Sequence, residues 1–147
     1  MSTTGLEVFD QTLQKTNIWL KDIMGQVGPD RQRAYHALRA VLHTLRDRLT
    51  VEEAAHLSAQ LPLLIRGIYF EGWHPAHKPT TKERAQDEFL EQVEARLQGI
   101  EPINPETATR VVLEVLERYV DPAEAAHVKH MLPKPIRELW PSEPKAS

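Results

Sequence analysis

An all-α fold built by tandem duplication is predicted by three features of this 147-residue sequence. Apolar residues recur at spacings of three, four and seven through most of the chain, which is the pattern of amphipathic helices. The sequence aligns with itself at a shift of 71 residues. No segment alternates apolar and polar residues in the way that a half-buried strand does. We therefore expect two units of three to four helices each, packed about a pseudo-twofold axis into one compact bundle of six to eight helices.

The internal repeat pairs residues 37–69 with residues 108–140. Thirteen of these 33 pairs are identical, with first members Ala37, Arg39, Val41, Leu42, Leu45, Glu53, Ala54, Ala55, His56, Leu61, Pro62, Ile65 and Arg66. Agreement of this extent indicates duplication and not chance. We divide the chain into a first helical repeat (1–73), a linker (74–81), a second helical repeat (82–141) and a tail (142–147) that we expect to be disordered.

The first unit is predicted to form consecutive helices. Its first helix is indicated by an apolar stripe at Leu6, Phe9, Leu13, Leu20, Met24 and Val27. That helix ends at the Gly-Pro pair 28–29, and a second stripe covers residues 34–49. A third helix begins after Thr50 and stops near Leu61, because Pro62 lacks a backbone N–H and clashes with the preceding turn. The same proline suits the first turn of a further helix.

The second unit repeats this order. Its first helix is indicated by Phe89, Leu90, Val93 and Leu97. Asn104-Pro105 and Asp121-Pro122 begin the next two helices, because each couples a capping side chain to a proline at the first helical position. The segment 133–140 closes the unit. Since a unit of this size buries little surface alone, we expect the two units to share one core.

Composition and charge narrow the functional classes. The chain has 18 basic and 21 acidic residues, and its net charge of −3 is too mild to favour nucleic acid or an anionic membrane as partner. The absence of cysteine excludes disulfides, iron–sulfur clusters, zinc ribbons and thiol nucleophiles. The N-terminal segment lacks the pattern of a secretory signal, and no stretch approaches the roughly 20 apolar residues of a membrane span. We expect a cytoplasmic protein with no membrane partner.

The segment "AVLHTLRDRLTVEEAAHLSAQLPLLIRGIYFEGW" contains a helix, a Leu-Pro step and an aromatic Arg-Gly…Gly-Trp ending. Residues 41–73 of it resemble the bacterial family called domain of unknown function 2267, whose two-repeat layout corresponds to roughly residues 15–141 here. The resemblance implies an all-helical, duplicated, soluble bacterial protein. It implies no activity, cofactor or catalytic residue. The second unit lacks the aromatic ending and has "RELWP" in its place.

Glu-x-x-His occurs in both copies, as Glu53/His56 and Glu124/His127. Carboxylate-bridged di-iron bundles contain this motif on two helices, with a further glutamate from each of two others. One interpretation is therefore a metal site made by these four residues. It predicts His56 and His127 within about 8 Å of each other with carboxylates between them.

The second interpretation is a pair of helix starts, and we favour it. Thr50 and Asp121 stand three residues before the glutamates, which is the arrangement of a capping box. In a capping box the glutamate lies at an exposed helix end and reaches back to the N–H of the cap. His56 and His127 are then expected to be partly buried and to bond a neighbouring group in the other unit. We expect no cofactor, and His74 and His77 in the linker give only a weak metal signal.

The aromatic ending of the first unit is the better functional lead. Tyr69, Phe70 and Trp73 lie within five residues, close to Arg66. These residues either staple the units together or form a surface for a partner protein, since Tyr, Trp and Arg dominate interface hot spots. We expect a non-enzymatic protein-interaction or stress-associated regulatory module, which binds an unidentified protein or self-associates. A third reading, a helix-turn-helix-like nucleic-acid binder, depends on the five arginines of residues 31–48.

Overall fold

A computed structural model of the protein describes residues 4–75, 85–99 and 102–141, and these residues form eight α-helices and no strand. The helices are α1 (Glu7–Val27), α2 (Arg31–Arg48), α3 (Val51–Ser58), α4 (Leu63–Phe70), α5 (Gln86–Arg96), α6 (Pro105–Tyr119), α7 (Pro122–Met131) and α8 (Lys134–Arg137). The all-α class and the expected helix number are confirmed. Most of the predicted linker, residues 76–81, and the predicted tail 142–147 lie outside the described residues. Within the described ranges, no helix is long and apolar enough to cross a membrane.

The helix starts follow the local sequence. Four helices begin at a side chain that accepts a hydrogen bond from a backbone N–H of the first turn, namely α2 at Asp30, α3 at Thr50, α6 at Asn104 and α7 at Asp121. Such caps satisfy donors that have no partner inside the helix. Proline occupies the first turn of α6, α7 and α8, where its missing N–H does no harm. The predicted starts at Thr50 and Asp121 are therefore confirmed.

The core is shared by the two units. The helices α1 and α2 of the first unit pack on α5 and α6 of the second, with α2 contacting both. The most deeply buried apolar side chains come from both units and include Ile23, Leu38, Leu42, Phe89, Leu113 and Leu116. Each large apolar side chain contributes about 1.5–3 kcal/mol when it is fully buried. The expectation of one common core is met within the described residues.

The repeated arginines close equivalent joints. Arg66 donates from Nε to Ser58 O at 2.9 Å and from Nη2 to Leu61 O at 3.1 Å. Arg137 donates in the same way to Lys129 O at 3.0 Å and Leu132 O at 3.1 Å. The accepting carbonyls lie at the ends of α3 and α7. The last carbonyls of a helix have no partner within the helix and are therefore free to accept from a side chain. Each arginine therefore holds the helix joint of its own unit.

The first helix extends beyond the repeat. A weaker match at a shift of 70 residues pairs Trp19-Leu20 and Ile23 with Phe89-Leu90 and Val93. At this shift the start of α5 at Gln86 corresponds to Thr16, so residues 7–15 of α1 have no counterpart in α5. From Thr16 onward α1 contributes to the core, whereas Phe9 and Leu13 of the predicted apolar stripe remain exposed. The first turns of α1 are thus a projection with an apolar side that no described residue buries.

Candidate functional site

The two Glu-x-x-His motifs meet where α3 contacts α7. Glu53 Oε2 lies 2.7 Å from His127 Nε2, and Glu124 Oε2 lies 3.1 Å from His56 Nδ1. The imidazole rings of His56 and His127 are 6.5 Å apart between centroids, at an interplanar angle of 66°. Each glutamate therefore pairs with the histidine of the other unit. We call these four residues the Glu–His cluster.

The glutamates are placed differently from the capping-box prediction. The side chain of Glu53 is 17% exposed and that of Glu124 is 9% exposed, so the predicted exposed position is wrong for both. The N–H of Asp121 donates at 3.4 Å to Gln60 Oε1 of the first unit. The physical reason is the close approach of α3 and α7, which puts an imidazole of the opposite helix within reach of each carboxylate.

The histidines bond the neighbouring unit as predicted, but they are more exposed than predicted. The side chain of His56 is 70% exposed and that of His127 is 47% exposed. The Glu53 carboxylate raises the pKa of His127, first through the short polar contact and then through its charge, and the charge of Glu124 adds to this. The contact between Glu53 and His127 is an ion pair with imperfect alignment, because Glu53 Oε2 accepts no well-directed hydrogen bond.

The raised pKa of His127 predicts a pH-dependent contribution to stability. Because the folded-state pKa lies above the ordinary 6.5, the contribution is complete below about pH 6.5 and is lost as pH rises through the folded-state value. His127→Gln should therefore lower the free energy of unfolding more at pH 5.5 than at pH 8.5. Urea denaturation across this pH range measures the difference. The exposed His130 provides the matched control, and an equal pH trend in His130→Gln would contradict the assignment.

The metal interpretation meets its distance condition but lacks a set of ligands. The two imidazoles are as close as that interpretation requires. However, no three or more His, Asp or Glu side chains in the described part of the chain are placed to hold a metal ion. The four residues associate two by two, whereas a di-iron centre needs several ligands converging on each metal. His77 of the linker lies outside the described residues.

The aromatic ending of α4 is partly core. Tyr69 is fully buried and donates from its hydroxyl to Ala54 O at 2.8 Å. Burial raises the pKa of Tyr69 well above its ordinary value. Phe70 and Trp73 are half-buried, with their ring centroids 5.1 Å apart and their planes tilted by 32°. The prediction that Arg66, Tyr69, Phe70 and Trp73 bind a partner stays a prediction, and the burial of Tyr69 leaves the other three at the surface.

The end of α4 is held by two side chains of α2 that the sequence did not single out. Arg46 is 4% exposed and donates from Nη1 to Tyr69 O and Glu71 O, each at 2.9 Å. His43 Nε2 donates to Ile68 O at 2.7 Å. Burial lowers the pKa of His43, and the charge of Arg46 lowers it further. The sequence shows that His43 and Arg46 lie three residues apart on α2, but it does not show that they donate to carbonyls at the end of α4.

The arginines of α2 are engaged within the chain. Arg31 donates to Asn17 Oδ1 at 2.6 Å, and Arg33 donates to Pro102 O at 3.1 Å. Arg39 pairs with Glu71, and Arg48 lies over the Phe89 ring at 5.9 Å. With Arg46 buried, all five arginines that motivated the nucleic-acid reading have intramolecular partners.

An apolar groove beside α1 was missed by the sequence analysis. It has a volume of about 470 Å³ and lies between α1 and the joint of α3 and α4. Its apolar lining residues are Val8, Ile18, Trp19, Leu61, Leu63 and Tyr119. Four of these are exposed, with Val8 at 55%, Leu63 at 48%, Ile18 at 42% and Tyr119 at 39%. We call this feature the α1 groove. The sequence feature that could have indicated this groove is the apolar stripe in residues 6–13, which has no counterpart in the second unit.

Polar groups fix the shape of the α1 groove. Thr12 Oγ1 accepts from Leu64 N at 2.8 Å, which attaches the start of α4 to α1. Lys15 and Arg66 line the groove, and no acidic side chain does so among the described residues. The groove is therefore largely apolar and carries two positively charged side chains.

The helices and contacts define a class of protein, an all-helical chain whose described residues share one hydrophobic core. The chain belongs to the family described as "Uncharacterized conserved protein (DUF2267)", which matches residues 16–139. This confirms the resemblance seen in residues 41–73. The matched region begins at Thr16, so the projecting part of α1 precedes it. Among curated proteins, none matches the chain.

Proposed function

We propose that this protein is a non-enzymatic protein-interaction module that binds its partner in the α1 groove. The observation that carries the proposal is the exposure of Val8, Ile18 and Leu63 around one concave surface. Exposed apolar residues gathered in a groove are typical of protein-binding sites, whereas scattered ones are ordinary.

The non-enzymatic part of the proposal is supported by arginines that serve structural roles. The buried Arg46 and the repeated Arg66 and Arg137 donate to helix-end carbonyls. Side chains used in this way stabilise helix ends and are less available for chemistry. The cytoplasmic location and the stress-associated role that we expect stay predictions, since none of these contacts bears on them.

The proposal is tested by a photo-crosslinking amino acid at position 18, with the full chain expressed in its native host. The expected result is a defined protein adduct at Ile18 that is lost when Leu63→Asp is added. Position 91 is the control, because Glu91 is exposed on α5, away from the groove. Equal yields at positions 18 and 91, or an adduct that Leu63→Asp does not affect, would contradict binding in the groove.

A further inference from the structure

We infer that the occupant of the α1 groove is α1 of a second copy of this chain, so that two molecules pair their first helices antiparallel about a twofold axis near Gln11. This inference rests on the proposed function and names the partner.

The groove selects a ligand that is both apolar and acidic. Lys15 and Arg66 line it. Lys15 Nζ and Arg66 Nη1 make no hydrogen bond or ion pair with a described residue, although Arg66 donates from its two other nitrogens. Apolar side chains make up most of the remaining wall. A matching ligand presents apolar side chains next to a carboxylate, because complementary charges fix the register of an interface.

The projecting turns of α1 have this composition. Leu6, Val8 and Phe9 are largely exposed, and Glu7 lies among them. Gln11 Nε2 donates to Glu7 Oε1 at 3.1 Å, which leaves Glu7 Oε2 available to a cation of another molecule. Val8 of this segment also lines the groove of its own molecule, whereas Glu7 does not.

The spacing along α1 makes the match reciprocal. Glu7 and Lys15 lie four positions before and after Gln11, which is about 6 Å along the helix in each direction. An antiparallel pair with its axis at Gln11 places Glu7 of each copy opposite Lys15 of the other. Val8 and Ile18 line the same side of α1 and provide apolar contact next to these ion pairs. A twofold interface requires this kind of self-complementary surface.

The pairing is tested with the full chain by sedimentation equilibrium from about 5 to 500 μM, a range that covers the weak affinity expected of a small interface. We expect a reversible monomer–dimer equilibrium. Glu7→Lys and Lys15→Glu should each raise the dissociation constant at least about 5-fold, because each places like charges opposite each other. The double variant Glu7→Lys/Lys15→Glu should restore dimerisation.

Lys21→Glu is the matched control, because Lys21 lies on α1 but does not line the groove. It should leave the dissociation constant unchanged, and circular dichroism should show that all variants remain helical. A wild-type chain that stays monomeric at 500 μM overturns the inference, as does a double variant that fails to recover. If the chain is monomeric while the probe at position 18 captures a different protein, the second copy is the wrong occupant and the proposed function stands.

Discussion

Replacing Tyr69 with alanine is expected to lower the free energy of unfolding by about 3–5 kcal/mol, the range for a large aromatic side chain removed from a core. The ring is fully buried, and its hydroxyl donates to Ala54 O across from α4 to α3. Tyr69→Phe keeps the ring and removes only this hydrogen bond, so it should cost about 1–2 kcal/mol. Urea denaturation followed by circular dichroism measures both values.

The control is Tyr119→Ala, because Tyr119 is largely exposed. Its loss of stability should be clearly smaller than that of Tyr69→Ala. A Tyr69→Ala variant that unfolds like the wild type would mean that the ring is not part of the core. Such a result would support the prediction that Tyr69 belongs to a surface that binds a partner.

The second large effect is expected at Arg46. Arg46→Ala should cost about 2–5 kcal/mol, because it leaves the carbonyls of Tyr69 and Glu71 without their donor, at about 1–3 kcal/mol for each unsatisfied group. Asp47 keeps its contact with Arg96 at 2.8 Å. Arg46→Lys keeps the charge but loses the planar fork that reaches both carbonyls, so an intermediate loss is expected.

Chemical denaturation of Arg46→Ala is compared with that of Arg31→Ala, an exposed arginine on the same helix. The Arg31 variant should lose no more than about 0.5 kcal/mol, as surface substitutions usually do. Equal losses at both positions would show that the buried hydrogen bonds of Arg46 contribute nothing beyond an ordinary surface contact.

The all-helical class and the positions of the helix joints could be predicted because they depend on local chemistry. Pro62 cannot continue a helix, and α3 ends at Ser58, slightly before the predicted end near Leu61. Thr50 and Asp121 cap their helices through atoms only a few residues away. The contacts of Arg46 depend on where α4 ends relative to α2, a distance of more than 20 residues in sequence. The positive charge of Arg46 is evident in the sequence, but its bonds to the carbonyls of Tyr69 and Glu71 are not.

At both candidate sites, too, the sequence could not show which residues distant along the chain come into contact. The spacing of Glu53 and His56 indicates that they share one side of α3, but it does not indicate which unit supplies the partner of each. Helical periodicity likewise marks Phe9 and Leu13 as an apolar stripe without showing whether another helix covers them. The repeat, whose weaker match at a shift of 70 residues begins only at Trp19, was the one sequence feature that bore on the second question.

The crossed pairs of the Glu–His cluster join the two halves of the chain in a reciprocal contact. Glu53 meets His127 and Glu124 meets His56, which is how residues pair across an interface between two identical molecules. One unit alone would therefore carry both halves of this contact and could satisfy them only with a second molecule. Joining the units in one chain replaces that encounter with an intramolecular one, at an effective concentration on the order of millimolar. The contact between α3 and α7 accordingly has the form of a homodimer interface contained within a single polypeptide.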